Sequence, residues 1–210
     1  DVLETHLGKK YTVIEPNIND YIDLMKRNCA IVLPQDLGLI VAFCGIGNGS
    51  HIVESGSGAG GSLLFFANII GQQGHISSYE IREDFIETIQ KNIEGTHFNN
   101  ITLNHQDVTE GFNEEDNSTD LVFLDLPKPA DVIEDAHRIL KTGGFIAVYT
   151  PYVEQFQVVN KVLRRCGFKD IKIREGNVRE LEIRKNGTRP CSRVAGHTGY
   201  ISFGRKLKKK

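Results

Sequence analysis

The stretch VESGSGAGG, Val53 to Gly61, sets four glycines and two serines directly behind an acidic residue. Glycine adopts positive φ at no steric cost, so such a run serves either a tight turn or a loop whose bare backbone lies against a ligand. Its neighbours favour the loop. HIVE, just upstream, reads as a short buried strand; GSLLFFANIIG, downstream, carries apolar residues at helical density and stops at a glycine. Strand, glycine loop and helix together make a nucleotide cradle, with free N–H groups at the helix start turned toward the ligand.

Working outward, the chain alternates strands and helices. NDYIDLMKRN and PQDLGLIVAFCGI read as helices, the second with Pro34 in its first turn. HIVES is the first strand of the alternation and Ser62 to Ile70 a helix. HISSYE is followed by the amphipathic REDFIETIQKNIEG, and ITLNHQD by the strand TDLVFLDLP, apolar enough to be central in a parallel sheet. ADVIEDAHRILKTGG reads as a helix ended by its glycines, FIAVYTP as a strand and EQFQVVNKVLRRCGF as a helix. DIKIREGNVRELEIR and GYISFGRK close the chain as two strands with no helix between, and are expected to be antiparallel. The fold class is α/β, a doubly wound, Rossmann-like and mostly parallel sheet of seven strands with helices on both faces and an antiparallel C-terminal strand.

Ligands of such sheets bind at the carboxyl ends of the strands. Three acidic residues fall there: Glu80 ends HISSYE, 22 residues beyond Gly58; Asp107 follows ITLNHQ; Asp125 follows TDLVFL. Each alone is explained as a turn starter or helix cap. Three at successive strand ends, beside a glycine loop, point to a site. Glu80 suits a ribose diol. GSGAGG fits both the dinucleotide pattern and that of S-adenosylmethionine, but a pocket edged by Glu54, Glu80, Asp107 and Asp125 favours a sulfonium cation over a pyrophosphate. Methyl transfer is therefore preferred to hydride transfer.

Composition sets the bounds. The chain has 210 residues, 40% hydrophobic and 25% charged, with net charge −2, as expected of one globular α/β domain. No apolar run reaches membrane-spanning length, and DVLETHLGKK has no signal-peptide core, so a cytoplasmic protein without a membrane partner is expected. Cys29, Cys44, Cys166 and Cys191 are scattered without CxxC spacing, which argues against a zinc site; no metal is expected. Basic residues crowd the last third, in KVLRRCGFKDIKIR, RKNGTRP and GRKLKKK, as either a solvated face or a phosphate-contacting patch.

YTVIEPNINDYIDLMKRNCAIVLPQD, VESGSGAGG, SYEIREDF, FLDLPKP and the closing RPCSRVAGHTGYISFGRK together resemble the tRNA (adenine-58-N1)-methyltransferase family of the archaeal and bacterial single-polypeptide type. The resemblance implies a class I S-adenosylmethionine-dependent methyltransferase, acting on N1 of adenosine 58, and in archaeal members also 57, in the T-loop of tRNA, and assembled as a homotetramer. It implies a cofactor loop of Gly56, Gly58, Ala59, Gly60, Gly61 and Ser62, with Glu80 on the ribose. Phe85, Asp107 and Val108 would flank the cofactor's adenine. Asp125, in LDLPKP, would stand between cofactor and target base as the catalytic residue. Leu33, Tyr149, His197, Thr198 and Tyr200 would shape the base pocket. Residues 1–15 would be the remnant, its final strand, of a small N-terminal β domain, and residues 16–210 the catalytic domain. Strands of the last third, through Ile171, Ile173, Leu181 and Ile183, would be shared between subunits. Leu33, Gln35, Val194 and Ala195 depart from the residues the family favours. Two rival readings are a catalytically silent tRNA-binding subunit of the same fold, and a methyltransferase acting on a small molecule or protein.

Overall fold

The computed structural model describes residues 1–192 and 196–208. Arg193, Val194 and Ala195 lie outside the described residues, as do Lys209 and Lys210, so the expected departure at 194–195 is not placed. The chain begins with two short strands, β1 (Val2–Glu4) and β2 (Lys10–Thr12), paired antiparallel with each other. VLETHLGKKY is thus a hairpin turning at Gly8, not the single strand expected from the sequence. Helix α1 (Ile18–Leu24) starts at a capping box, in which the Asn17 side chain accepts from Asn19 and Asp20 N–H and Asp20 returns the bond to Asn17 N–H at 2.8 Å. It is shorter than expected. Met25 to Leu33 leave it as a non-helical segment that becomes a wall of the site.

Pro34 occupies the first turn of α2 (Pro34–Cys44), where its missing N–H costs nothing. The alternation then follows: β3 (His51–Ser55), α3 (Gly61–Ile70), β4 (His75–Glu80), α4 (Glu83–Glu94), β5 (Ile101–His105) and β6 (Thr119–Leu124). Helix α5 (Ile133–Ile139) follows, and hands over directly to β7 (Leu140–Thr150). This corrects the expected helix through Gly143–Gly144. Leu140 already pairs with Thr119, and the two glycines, Gly143 at φ 96°, form the irregularity that resets the register to Leu121 opposite Phe145. Helix α6 (Val153–Arg165) precedes β8 (Lys169–Glu175), the hairpin of β9 (Leu181–Arg184) and β10 (Gly187–Pro190), and β11 (Tyr200–Arg205).

The strand expected over residues 170–184 is therefore two. Its break lies at Gly176, whose Cα sits so close to the Asp36 carboxylate that a Cβ would be 2.9 Å from Oδ1. Ile171 and Ile173 stay in the main sheet, half-buried, while Leu181 and Ile183 stand exposed on the hairpin.

Seven strands make the sheet in the order β5-β4-β3-β6-β7-β11-β8. The first five are parallel, and β11 inserts antiparallel between β7 and β8. The apolar run of β6 serves both faces by strand alternation. Leu121 and Phe123 pack beneath α1 to α4, and Val122 and Leu124 against α5 and α6. Phe66, Tyr79, Phe123 and Phe203 are fully buried, each worth about 1.5–3 kcal/mol in transfer from water. Between β5 and β6 the described chain has only a 3₁₀ turn, Val108–Glu110, and a loop that Arg138 fastens. Its guanidinium donates to the carbonyls of Phe112 and Glu114 at 2.9 and 2.8 Å and pairs with Asp116 and Asp135.

This topology puts every expected acidic residue on one edge. Parallel strands place their carboxyl ends together, and the reversal of β11 brings the loop preceding it, Gly196 to Gly199, to the same edge: Tyr200 pairs with Thr150 on one side and Glu175 on the other.

Candidate active site

The glycine loop is built by contacts that exclude side chains. Gly56 has φ 86°, and a Cβ there would lie 1.9 Å from the Asp125 carbonyl oxygen. Asp125 N–H in turn donates to the Ser55 carbonyl at 2.9 Å, so the ends of β3 and β6 are stitched where the loop leaves the sheet. Gly58 has φ 56° and presses on the Cys29 sulfur, which a Cβ would approach to 2.9 Å. Gly60, in the left-handed region, caps α3 and donates to the Ser57 carbonyl at 2.7 Å.

Glu80 does more than the sequence suggested. Its Oε2 accepts from Gly58 N–H at 3.0 Å, and Oε1 from the N–H groups of Ile81 and Arg82 at 2.9 and 3.0 Å. A carboxylate has about four lone-pair positions, so three backbone donors leave room for one further donor, on Oε2. Glu80 therefore latches the glycine loop before it touches any ligand. Behind it, Glu54 is buried, with Oε1 accepting from the Ser78 hydroxyl at 2.8 Å and Oε2 making no geometric hydrogen bond to any described residue. Burial, against the pull of the Ser78 and Ser62 hydroxyls, pushes its pKa up to about 7, helped by the charges of Asp125 and Glu80.

Asp125 is half-buried at the end of β6, facing the cleft, and its carboxylate accepts no hydrogen bond from any described residue. Desolvation alone raises its pKa to about 6. Asp107 is different. Oδ1 accepts from Thr109 N–H and hydroxyl at 2.9 and 2.8 Å, capping the 3₁₀ turn, and these bonds lower its pKa. The ordinary reading of a strand-end acid as a cap holds for half of this carboxylate.

Two adjoining cavities follow the strand ends. One, of about 310 Å³, is walled by the glycine loop with Ser62, by Glu80, Phe85 and Asp125, and by Cys29 to Val32. The other, of about 250 Å³, shares Gly56, Glu80, Ile81, Leu126 and Pro127 with it and adds Asp107 and Val108. Phe85 lies under the Arg82 guanidinium at 3.9 Å. Ala59 is fully buried and Gly60 caps the helix, so both shape the loop from behind. Leu33 caps α2 by its backbone, about a third exposed.

Tyr149, His197, Thr198 and Tyr200 form a separate group at the same edge. The Tyr149 hydroxyl donates to the Thr198 carbonyl, and Gly199 packs on the Tyr149 ring so closely that a Cβ would be 2.3 Å from Cζ. His197 lies against Tyr200 with its ring tilted and ring centres 4.6 Å apart.

Sequence reasoning missed the cover of the site. Cys29, Ala30, Ile31 and Val32 lie within the stretch YTVIEPNINDYIDLMKRNCAIVLPQD, which suggests no role for them, and they reach the cleft because Asn92 of α4 holds Lys26 in place. Its Oδ1 accepts from Lys26 N–H, and its Nδ2 donates to the carbonyls of Lys26 and Ala59, all at 2.9 Å. A buried asparagine in an amphipathic helix was the available signal. The four cysteines are free, and among the described residues no cluster of three or more His, Cys, Asp or Glu could hold a metal ion. No helix among the described residues is long and apolar enough to cross a membrane.

Residues 14–187 match the family model described as "tRNA methyltransferase complex GCD14 subunit". The chain is 35% identical to the tRNA (adenine(57)-N(1)/adenine(58)-N(1))-methyltransferase TrmI of Methanocaldococcus jannaschii, over 97% of this chain and 81% of that protein. It is 29% identical to the tRNA (adenine(58)-N(1))-methyltransferase TrmI of Thermus thermophilus, over 99% and 81%. In structure it is similar to a SAM-dependent O-methyltransferase of Thermotoga maritima, with TM-score 0.90 and 30% identity over 100% of this chain and 78% of that one. The fold is shared too with the tRNA (m1A58) methyltransferase TrmI of Aquifex aeolicus, with TM-score 0.85 and 23% identity over 96% and 80%.

Proposed function

The chain belongs to the tRNA methyltransferase complex GCD14 subunit family, and from this premise we propose that it transfers a methyl group from S-adenosylmethionine to N1 of adenosine 58, and of 57 as a second position, in the T-loop of tRNA. The observation that carries the reading is Asp125: an unpartnered carboxylate, facing the cleft at the end of β6, next to the glycine loop.

The residues present fit the cofactor. Gly56 and Gly58 leave backbone where side chains would intrude, Glu54 keeps a buried oxygen with no hydrogen bond from the described residues, and the rim is acidic. Gly56, Gly58, Gly61 and Ser62 would hold the amino-acid end, Glu80 one ribose hydroxyl, and Phe85, Asp107 and Val108 the adenine. When bound, the cofactor supplies an electrophilic methyl on a sulfonium. Adenine N1 offers a neutral lone pair, so the protein's task is positioning rather than deprotonation. At pH 7 a group of pKa near 6 is roughly nine-tenths ionised. Asp125 therefore accepts from N6–H of the base, enriching N1 and stabilising the positive charge that arrives there. Since N1 is engaged in folded tRNA, the base is flipped out to reach Asp125, with Leu33, Tyr149, His197, Thr198 and Tyr200 forming its surroundings.

A hydroxyl acceptor, by contrast, must lose a proton on attack. A carboxylate of pKa near 6 is a weak base for that purpose, and N1 requires none. We further propose a cytoplasmic homotetramer, joined through the exposed Leu181 and Ile183 hairpin with β8, with residues 16–210 as the catalytic domain and the hairpin of residues 1–15 as a small β element beside it. The deciding experiment incubates the protein with labelled cofactor and unmodified tRNA and maps the product nucleoside. 1-Methyladenosine at 58 is expected. Cofactor binding by calorimetry without transfer would instead identify a silent tRNA-binding subunit, and transfer only to small molecules or protein would overturn the tRNA assignment.

A further inference from the structure

One group of titratable side chains at this edge has no part in the cofactor cleft. Both ring nitrogens of His197 face acceptors: Nδ1 is 2.6 Å from Glu175 Oε1 at the end of β8, and Nε2 is 3.0 Å from the Pro151 carbonyl beyond β7. A neutral imidazole carries one N–H and one lone pair, so it satisfies one of these oxygens and sets a lone pair against the other. Only the doubly protonated ring donates to both.

The other groups facing it agree. Asp36 of α2 is fully buried, and neither of its oxygens makes a hydrogen bond to any of the described residues. Burial raises its pKa, opposed by the adjacent Thr198 hydroxyl and by the His197 charge. Tyr149 of β7 and Tyr200 of β11 contribute a neutral hydroxyl and a ring face. Around one imidazole there are thus two carboxylates and one carbonyl. The pKa of His197 is raised accordingly, first by Glu175 and then by Pro151.

We propose that His197 is a positioning residue, an imidazolium clasp between β8 and the end of β7 that holds the turn Gly196–Gly199 closed over Tyr149. The turn is what ties the Tyr149 hydroxyl to the Thr198 carbonyl. That hydroxyl lies within electrostatic reach of both Asp36 and Asp125. With the clasp shut, the phenol is occupied and Asp125 is left free to accept from the substrate. With the ring neutral, one clasp bond is lost, the turn loosens, and the phenol is released toward the carboxylate that must stay unpartnered. The raised pKa gives the sign: the clasp is intact below the ordinary histidine value and is lost as pH rises through the higher folded value.

The activity part of the test rests on the tRNA methyltransferase reading; the spectroscopic part does not. NMR titration of the wild-type protein, with His197→Gln for assignment, is expected to place His197 above 6.5, and Glu175→Gln to lower it by at least about half a pH unit while keeping an acceptor at Nδ1. In single-turnover methylation, the wild type should show an alkaline limb at the His197 midpoint. Glu175→Gln should move that limb by the same amount, and His197→Gln should abolish it. His197→Gln should raise KM for tRNA about tenfold, with cofactor affinity held within twofold. A His197 midpoint at or below 6.5, or a Glu175→Gln protein with unmoved midpoint and limb, overturns the clasp. Should wild-type protein fail to methylate tRNA at all, the functional reading fails, and the titrations alone decide the clasp.

Discussion

Asp125→Asn is the substitution that sets activity against stability. The carboxylate's pKa rises from 3.8 to about 6 because the folded chain desolvates it without offering a hydrogen bond. A group whose folded pKa lies above its unfolded one binds protons more tightly when folded. Its charged form is then a cost that is full above the folded value and disappears as pH falls below the unfolded value. The shift corresponds to about 3 kcal/mol at pH 8, about half that at pH 5, about half a kcal/mol at pH 4 and nearly nothing below pH 3. Residual solvent contact through the cleft trims the pH 8 figure to about 2–3 kcal/mol. Asn is nearly isosteric and uncharged, so urea unfolding of the cofactor-free protein, at fixed concentration, should show it more stable by that amount at pH 8 and converging on the wild type toward pH 3. The same protein should lose roughly 10²-fold in single-turnover methylation with saturating cofactor, the scale of one preorganised contact, and should lose the acid limb that the wild type shows near pH 6. Asp125→Ala should lose at least as much, because Asn can still accept through its amide oxygen. An Asn protein equally stable at all pH values, or methylating at the wild-type rate, would refute the argument that this carboxylate is held unpartnered for the substrate.

Gly56→Ala should destabilise by about 3 kcal/mol or more and leave no measurable cofactor binding, because the added carbon meets the Asp125 backbone, which cannot step aside; near wild-type melting would show the strand ends to be looser than described. Asn92→Ala strands the Lys26 N–H and C=O and the Ala59 carbonyl, and about 1–3 kcal/mol of stability should go, with weaker cofactor binding in calorimetry. Glu80→Ala should weaken S-adenosylmethionine by roughly 1.5–3 kcal/mol, part of it from the freed Gly58 loop, and Glu80→Gln by less; unchanged affinity would remove Glu80 from the site. In light scattering the wild type should run at several times its 23.5 kDa chain mass, and Leu181→Ser with Ile183→Ser should shift it toward the monomer.

The parallel alternation was legible because each strand and helix carries its own periodicity, and the glycine loop because positive φ admits few residues. Asp107 and Asp125 looked alike in the sequence and differ in the structure. Thr109, two residues on, captures one of them, whereas nothing local predicts that the other stays bare. Local signals also failed at Leu140, where pairing with Thr119 overrides a helix-like run, and at Gly176, where a contact from α2, 140 residues earlier, breaks a strand-like one. The Cys29 to Val32 wall and the placement of His197 depend on which elements meet, and that information is not local.

The insertion of β11 has a consequence for how the chain is made. Among the described residues strand β8 pairs in the sheet only with β11, so although β8 is synthesised first it has nowhere to pair until Tyr200 to Arg205 emerge. Until then β7 presents an open edge whose Ile146, Ala147 and Val148 are among the most buried residues of the finished molecule. An unpaired apolar edge is a template for another chain. A nascent or clipped polypeptide is thus most exposed to aggregation at the step just before β11 is available, when the cofactor cradle from β3 to β6 already has all its strands and the edge that receives the base does not.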